Sequence, residues 1–459
     1  MEILKSYLRT MAGMNVNVRL LLLRTLIMGL YSGIYGIIFN LYILDMGFRA
    51  DFLGLLLSVT LLTSSAMSIP AGILCDRVDR RKLMIASSAL SVAAVLPIFV
   101  LHSPPALVLF SALYGIFSSV SAVCVTPLLA ENCGEETVHV FSANASFGWI
   151  ASVAGCAFGG FLPGVWSRYF AAFNNYQLTL LFALVLLAVS CAVLVMLKSP
   201  KCSGLNERVR DPVTHVHDSQ PFSLAGLRPS PTALKFMLTS LTFGVASGMI
   251  VPYFNIYFMN VLNMGVLEIG MTSAAAGLFM IVGFVIIPFL TARIGKVRSA
   301  VASKMLTVPF LILMALSTDI VMVAVAYVGY MFLINMAGPA TTSFQMEQIH
   351  PREQGFAVGL MSTGSCLAVS VSSFVSGILI AGGNYLVPFL LTCAGYVATA
   401  LLLYYYFKDT ESIGLRQPVP VAPAVASVAL MKQGVQKGRQ VLMPLAPEPV
   451  DVSRGHVES

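Results

Sequence analysis

Gly29-Leu30-Tyr31-Ser32-Gly33, followed by Phe39-Asn40-Leu41-Tyr42, decides the reading of this chain. The same pattern returns 215 residues later as Gly244-Val245-Ala246-Ser247-Gly248 and Phe254-Asn255-Ile256-Tyr257. The register then continues with a one-residue slip. Gly54 and Gly270, Arg77 and Arg293, Tyr114 and Tyr330, and Glu131 and Glu347 each stand 216 apart. Chance does not hold a register over so long a stretch, so the chain consists of two parallel copies of one unit. In a membrane protein, parallel repeats imply alternating access, with one half rocking against the other around a central site.

Composition places both copies in a bilayer. Hydrophobic residues make up 57% and charged residues 10%, whereas a soluble domain carries about 25% charged residues. Mean hydropathy is +0.85. Stretches free of Asp, Glu, Lys and Arg run over 25–44, 52–75, 83–130, 140–167, 169–197, 236–267, 269–292, 305–318, 320–346 and 354–407. A spanning helix needs about 20 apolar residues, so 83–130 holds two, parted at Pro104-Pro105, and 354–407 holds two, parted at Gly382-Gly383-Asn384. Lys304 extends the short ninth span backwards. The expected fold is therefore an all-α membrane protein of twelve transmembrane helices, spans 1 to 12, in two pseudo-symmetric six-helix halves. A β-barrel would alternate polar and apolar residues, which these stretches do not. The first span lacks a small-residue cleavage pattern and reads as an uncleaved helix.

The net charge of +7 follows topology and is no nucleic-acid footprint. Arg77, Arg80, Arg81 and Lys82 lie between spans 2 and 3, and Arg293, Lys296, Arg298 and Lys304 lie between or near spans 8 and 9. Lys198, Lys201, Arg208, Arg210 and Arg228 follow span 6, while loops of opposite parity carry only Arg49 and Arg168. The positive-inside bias puts both termini in the cytoplasm, and the expected location is the plasma membrane. The boundaries read as a first half 1–197, a cytoplasmic linker 198–232, a second half 233–407, and a cytoplasmic tail 408–459 expected to be disordered. The eight cysteines show no metal-ligand spacing and serve as small apolar filler. No nucleophile–base pair, metal cluster or phosphate-cradling glycine loop is present, so neither an enzyme nor a cofactor is expected.

Gly72-Ile73-Leu74-Cys75-Asp76-Arg77-Val78-Asp79-Arg80-Arg81-Lys82 follows span 2. It resembles the signature loop between helices 2 and 3 of the major facilitator superfamily, Gly-x-Leu-x-Asp-Arg-x-Gly-Arg-Arg/Lys, with Asp79 where that family has Gly. The second half keeps a degraded copy, Arg293-Ile294-Gly295-Lys296, with Ala292 in place of the Asp. Glu131 and Glu347 end spans 4 and 10 at the same level, as natural partners for Arg80 and for Arg293 or Arg298. The resemblance implies a gate made of Gly72, Asp76, Arg77, Arg80, Arg81, Glu131, Arg293 and Glu347. This gate would latch the outward-facing state and break when the cytoplasmic side opens. The plain alternative is a set of solvated loop charges, each pair contributing ~0–1 kcal/mol.

Span 5 contains Ala151-Ser152-Val153-Ala154-Gly155-Cys156-Ala157-Phe158-Gly159-Gly160. This looks like the exporter motif Gly-x-x-x-Gly-Pro-x-x-Gly-Gly of the same superfamily, with Ala151 and Cys156 departing from it, and it leans towards export. Small residues at this spacing also let helices approach closely whatever is carried. The span 4 arginine of drug–proton exporters is absent, with Ser111 standing four residues before Gly115. No charged residue falls near the middle of any span. Intramembrane charges are costly and usually functional, so any proton coupling is expected to use Asp45, Glu131 or Glu347.

In that superfamily helices 1, 4, 7 and 10 surround the solute, with 5, 8 and 11 contributing, which makes Tyr31, Tyr35, Asn40, Trp149, Tyr253, Asn255, Tyr257, Tyr330 and Asn335 the cavity candidates. The duplicated Asn40 and Asn255 suit a pairing of the two halves as well as a ligand site, and the tyrosines suit packing as well as contact. With no cation at depth, the expected cargo is a small, neutral or lipophilic organic solute, exported by a monomeric permease with protons as the candidate coupling ion. An uncoupled facilitator or importer of a neutral nutrient such as a sugar is the first alternative. A transporter-like receptor without flux is the second.

Overall fold

A computed structural model describes residues 15–133, 137–170, 172–197, 230–350 and 353–414, and, among these, twelve helices are long and apolar enough to cross a membrane. The first half contains span 1 (Val16–Asp45), span 2 (Ala50–Arg77), span 3 (Arg80–Val100), span 4 (Pro104–Cys133), span 5 (Thr137–Tyr169) and span 6 (Asn175–Val195). The second half begins with span 7, split into Pro231–Ile250 and Phe254–Asn260 around a 3₁₀ turn at Val251–Tyr253. Span 8 (Val266–Ile294) and span 9 (Lys296–Leu316) follow, and span 10 is again split, Ile320–Met336 and Gly338–Gln348. Span 11 (Gln354–Ala381) and span 12 (Leu386–Gly414) complete the bundle. The linker up to residue 229, the tail beyond 414 and the side chain of Asp76 lie outside the described residues.

Helix starts are written locally. Asn15, Asp79, Asn174, Ser230 and Asp319 each turn a side-chain oxygen onto a backbone N–H of the first turn, which satisfies donors the helix itself leaves free. Asp79 accepts from Arg81 N at 2.9 Å and Lys82 N at 3.2 Å. The residue that departs from the superfamily loop is thus the N-cap of span 3. Its counterpart in the second half, Gly295, instead adopts φ +92°. Span 7 starts at Pro231, inside the expected linker, where Ser230 caps and Pro occupies a first-turn position that needs no N–H. Pro252 breaks the same span because it cannot donate to the helical ladder.

Packing repeats between halves. Span 1 packs on span 5 and span 7 on span 11; span 2 packs on span 4 and span 8 on span 10; span 3 packs on span 4 and span 9 on span 10. The halves meet through span 2 on span 11 and span 5 on span 8. Large apolar side chains such as Leu109, Val185, Phe289, Val325 and Tyr405 are exposed. Around a bundle of this composition they form the surface that meets lipid.

The apolar core is distributed unevenly along the helices. One continuous cluster joins the halves at the end away from the basic loops, from Ile37, Phe39 and Tyr42 to Tyr253, Phe258 and Leu262. At the basic end the clusters are separate and each stays within one half, a small third one joining Ile287, Met336 and Ala340 of the second. Val18, Leu22, Met84 and Leu129 belong to the first half alone, and Phe236, Val297, Phe344 and Phe407 to the second alone.

Candidate functional site

The seam between the halves is built from equivalent residues. Asn40 Nδ2 donates to Asn255 Oδ1 at 3.0 Å and to the Pro252 carbonyl at 2.6 Å, the latter freed by the break in span 7. Asn255 Nδ2 donates to the Ile37 carbonyl at 3.0 Å. Buried amides need such partners, and here each half supplies the other's. Ser58 Oγ donates to the Ser370 carbonyl at 2.6 Å, and Ser370 Oγ returns the bond to Ser58 at 2.8 Å.

Glycines permit the closest backbone approach. A methyl group built on Gly270 would stand 2.6 Å from Gly160 Cα, and one built on Gly377 would stand 3.0 Å from Gly54 Cα. The two contacts are related by the repeat, which explains why Gly54 and Gly270 share a register. Further toward the basic end, Trp149 of span 5 meets Phe284 of span 8 edge-on, ring centroids 6.4 Å apart. Ser32 and Gly36 of span 1 are exposed, with open space beyond Gly36. They face the cleft that separates the two basic-end cores.

Most aromatic candidates pack rather than line that cleft. Tyr31 donates to Tyr114 Oη at 3.2 Å, and half-buried Tyr35 stacks on Phe39 at 4.6 Å. Tyr253 donates to the Ser373 carbonyl at 2.6 Å, and Tyr330 bonds Tyr396 at 2.9 Å. Tyr42 donates to the Phe99 carbonyl and Tyr257 to the Met314 carbonyl, each pair 57 residues apart. The repeated tyrosines therefore tie spans 1 and 3, and spans 7 and 9, in the same way. Asn335 bonds its own helix at the Met331 carbonyl, 2.9 Å. Trp149, 46% exposed, is the aromatic candidate left open to the cleft.

At the basic end, Arg80 Nη1 contacts Glu131 Oε1 at 2.6 Å, and Lys296 pairs with Glu347. Both pairs are 51 residues apart in sequence, so the repeat reproduces them too. Glu347 takes Lys296, the counterpart of Arg80, rather than the expected Arg293 or Arg298. Each pair lies within one half and is intact while the basic-end cores stand apart. Arg81 Nη2 donates to the Val195 carbonyl at 2.9 Å, closing the end of span 6. At the opposite end Asp45 accepts a bond from Asn174 and lines a cavity of about 700 Å³ with Arg168 and Tyr176.

One expectation is overturned. Cations do lie at depth: Arg24 in span 1 and Lys304 in span 9 are the buried charged side chains among the described residues, 6% and 7% exposed. A search for charge-free stretches assigns every charge to a boundary, so it placed Arg24 before span 1 and Lys304 beside span 9. The helices instead begin eight residues earlier, at Val16 and Lys296. The signal was the apolar sequence on both sides of each cation.

The superfamily profile described as Major Facilitator Superfamily matches residues 21–373. This chain belongs to the Major Facilitator Superfamily, and it is a multi-pass membrane transporter rather than an enzyme. Solved structures of the same fold include the nucleoside transporter NupG, at 13% identity over 86% of this chain and 100% of that chain, TM-score 0.66. A bacterial homologue of the human lysosomal transporter Spinster, inward-facing and occupied, shares 13% identity over 87% and 98%, TM-score 0.67. A bacterial homologue of the iron transporter ferroportin, inward-facing, shares 13% over 85% and 98%, TM-score 0.68. A comparison with curated proteins found no match.

Proposed function

We propose that this protein carries a small organic solute across the membrane by alternating access, with its basic end in the cytoplasm and net transport outward. One observation carries the reading: a single core joins the halves at one end, while at the other the cores are separate and each stays within one half. That is the geometry of a cleft open to one side and sealed on the opposite side. The positive-inside bias identifies the open side as cytoplasmic. Reciprocal Ser58–Ser370 bonds and the Gly160–Gly270 approach form the seal that must part in the other state. Support for export is the likeness of residues 151–160 to the exporter motif. Gly155 and Gly159 pack there on Gly33 and Ile34 of span 1, so the motif also builds the wall of the cleft.

The test is a reversible lock. In a background without the native cysteines, Ser58→Cys with Ser370→Cys should form a disulfide that arrests flux in proteoliposomes, and reductant should restore it. Flux undiminished by the cross-link would show that this seam does not open. Accumulation confined to inside-out vesicles is expected of an exporter, and accumulation confined to right-side-out vesicles would instead favour the importer.

A further inference from the structure

Arg24 and Lys304 share more than burial. Each is the ninth residue of its helix, and no other charged residue of the twelve spans lies more than two turns from a helix end. The repeat relates their surroundings: Arg24 corresponds to buried Thr239 of span 7, and Lys304 corresponds to buried Ser88 of span 3. Each half therefore buries one cation on the corresponding pair of helices, its first and third. Half one supplies it from the first helix and half two from the third.

Among the described residues, neither cation meets a carboxylate. Arg24 Nη2 donates to Ser121 Oγ at 3.0 Å, Ser121 bonds Ser88 Oγ at 3.0 Å, and Arg24 Nε is buried without a partner. The Lys304 ammonium stands 5.2 Å from the Phe243 ring centroid. A ring face attracts a cation but brings no countercharge. Bare charge inside a bundle is strongly unfavourable unless something compensates it. Both charges lie behind low-dielectric walls of a cleft open at their own end, where their field reaches far.

We propose that the compensating charge is the cargo: the solute is a small organic anion of the carboxylate class, drawn into the cleft by Arg24 and Lys304. The proposal rests on the transporter reading above and names its substrate class. A guanidinium with unused donors suits a carboxylate, which accepts two parallel N–H bonds. The ammonium of Lys304 provides the matching pole in the other half.

Two measurements test it. Without solute, Arg24→Met and Lys304→Met should melt at the same temperature as the wild type or higher, because each removes an uncompensated buried charge. Both should lose carboxylate uptake roughly tenfold or more, while Arg24→Lys, which keeps the charge without the fork, should lose less. The probes are a panel of small aromatic and aliphatic carboxylates and their neutral amides, in proteoliposomes with and without phosphatidylglycerol. Uptake of amides with exclusion of carboxylates overturns the anion assignment and leaves the transporter reading standing. Lower melting temperatures in both variants would assign the cations to structure and overturn it independently of any flux. Stabilisation by phosphatidylglycerol but by no carboxylate would make lipid the counterion and overturn it as well.

Discussion

The side-chain amides of Asn40 and Asn255, 215 residues apart in the chain, hydrogen-bond each other at 3.0 Å. Equivalent residues of two repeats can touch only on the axis that relates the repeats, so this bond marks the pseudo-twofold axis between spans 1 and 7. It lies within the core that seals one end of the molecule. A bond on the axis is well placed to hold the halves together in this state and to be exchanged in the other.

Asn40→Leu and Asn255→Leu should each destabilise the protein by about 0.5–1.5 kcal/mol for each buried bond lost across the seam. The double variant should cost less than the two singles together. Thermal unfolding in detergent measures this, and strict additivity would show that the two amides do not depend on each other.

Gly160→Val or Gly270→Val should prevent the sealed end from closing, because the added carbons fall on the backbone of the facing helix. Gly36→Val, which meets open space, should be tolerated. A thiol at Ser32→Cys, labelled from the basic side, should lose reactivity in the first two variants and keep it in the third. Unchanged labelling throughout would mean that the glycine contacts do not control the cleft.

Arg80→Ala and Lys296→Ala should each shift stability by no more than ~1 kcal/mol, as befits partly exposed pairs. For a gate, transport should fall further than expression does. Reversing both charges, Arg80→Glu with Glu131→Arg, should recover more flux than either reversal alone. Losses that merely add would leave the pair as a solvated tie between spans 3 and 4.

Any flux driven by a pH gradient should be lost in one of Asp45→Asn, Glu131→Gln and Glu347→Gln. Gradient-driven uptake that survives all three would direct the search to Lys304, buried within span 9. Wild-type uptake indifferent to the gradient would identify an uncoupled facilitator.

Single cysteines at Arg81 and Lys296 should be shielded from an impermeant thiol reagent in intact cells, and those at Arg49 and Arg168 should react. External labelling at Arg81 would invert the topology and with it the direction of opening.

Much of the seam was legible before any fold was known. Repeated words such as Phe39-Asn40 and Phe254-Asn255 located residues that meet, because an axis through the molecule brings equivalent positions together. Gly54 and Gly270 were visible as a pair, and Gly160 as part of the small-residue run of span 5, but not that Gly377 and Gly160 are the glycines they meet, because those lie on other helices. The aromatic candidates show the opposite limit. Tyr31, Tyr253, Tyr257 and Tyr330 carry the composition of a binding site, but packing directs Tyr31, Tyr257 and Tyr330 into their own halves and sets the Tyr253 hydroxyl at the seam beside Gly54.

Apolar length, loop charge and the internal repeat determined by themselves that this chain is a twelve-helix, two-half membrane protein, since each is a property read along one dimension. Tertiary structure alone decided that Glu347 takes Lys296, that one apolar core joins the halves at one end while separate cores stand at the other, and that, among the described residues, Arg24 and Lys304 are buried without a carboxylate. Those outcomes depend on distances between helices. Arg24 and Ser121 are 97 residues apart in sequence and 3.0 Å apart in the fold, and only the packing of spans 1 and 4 brings them together.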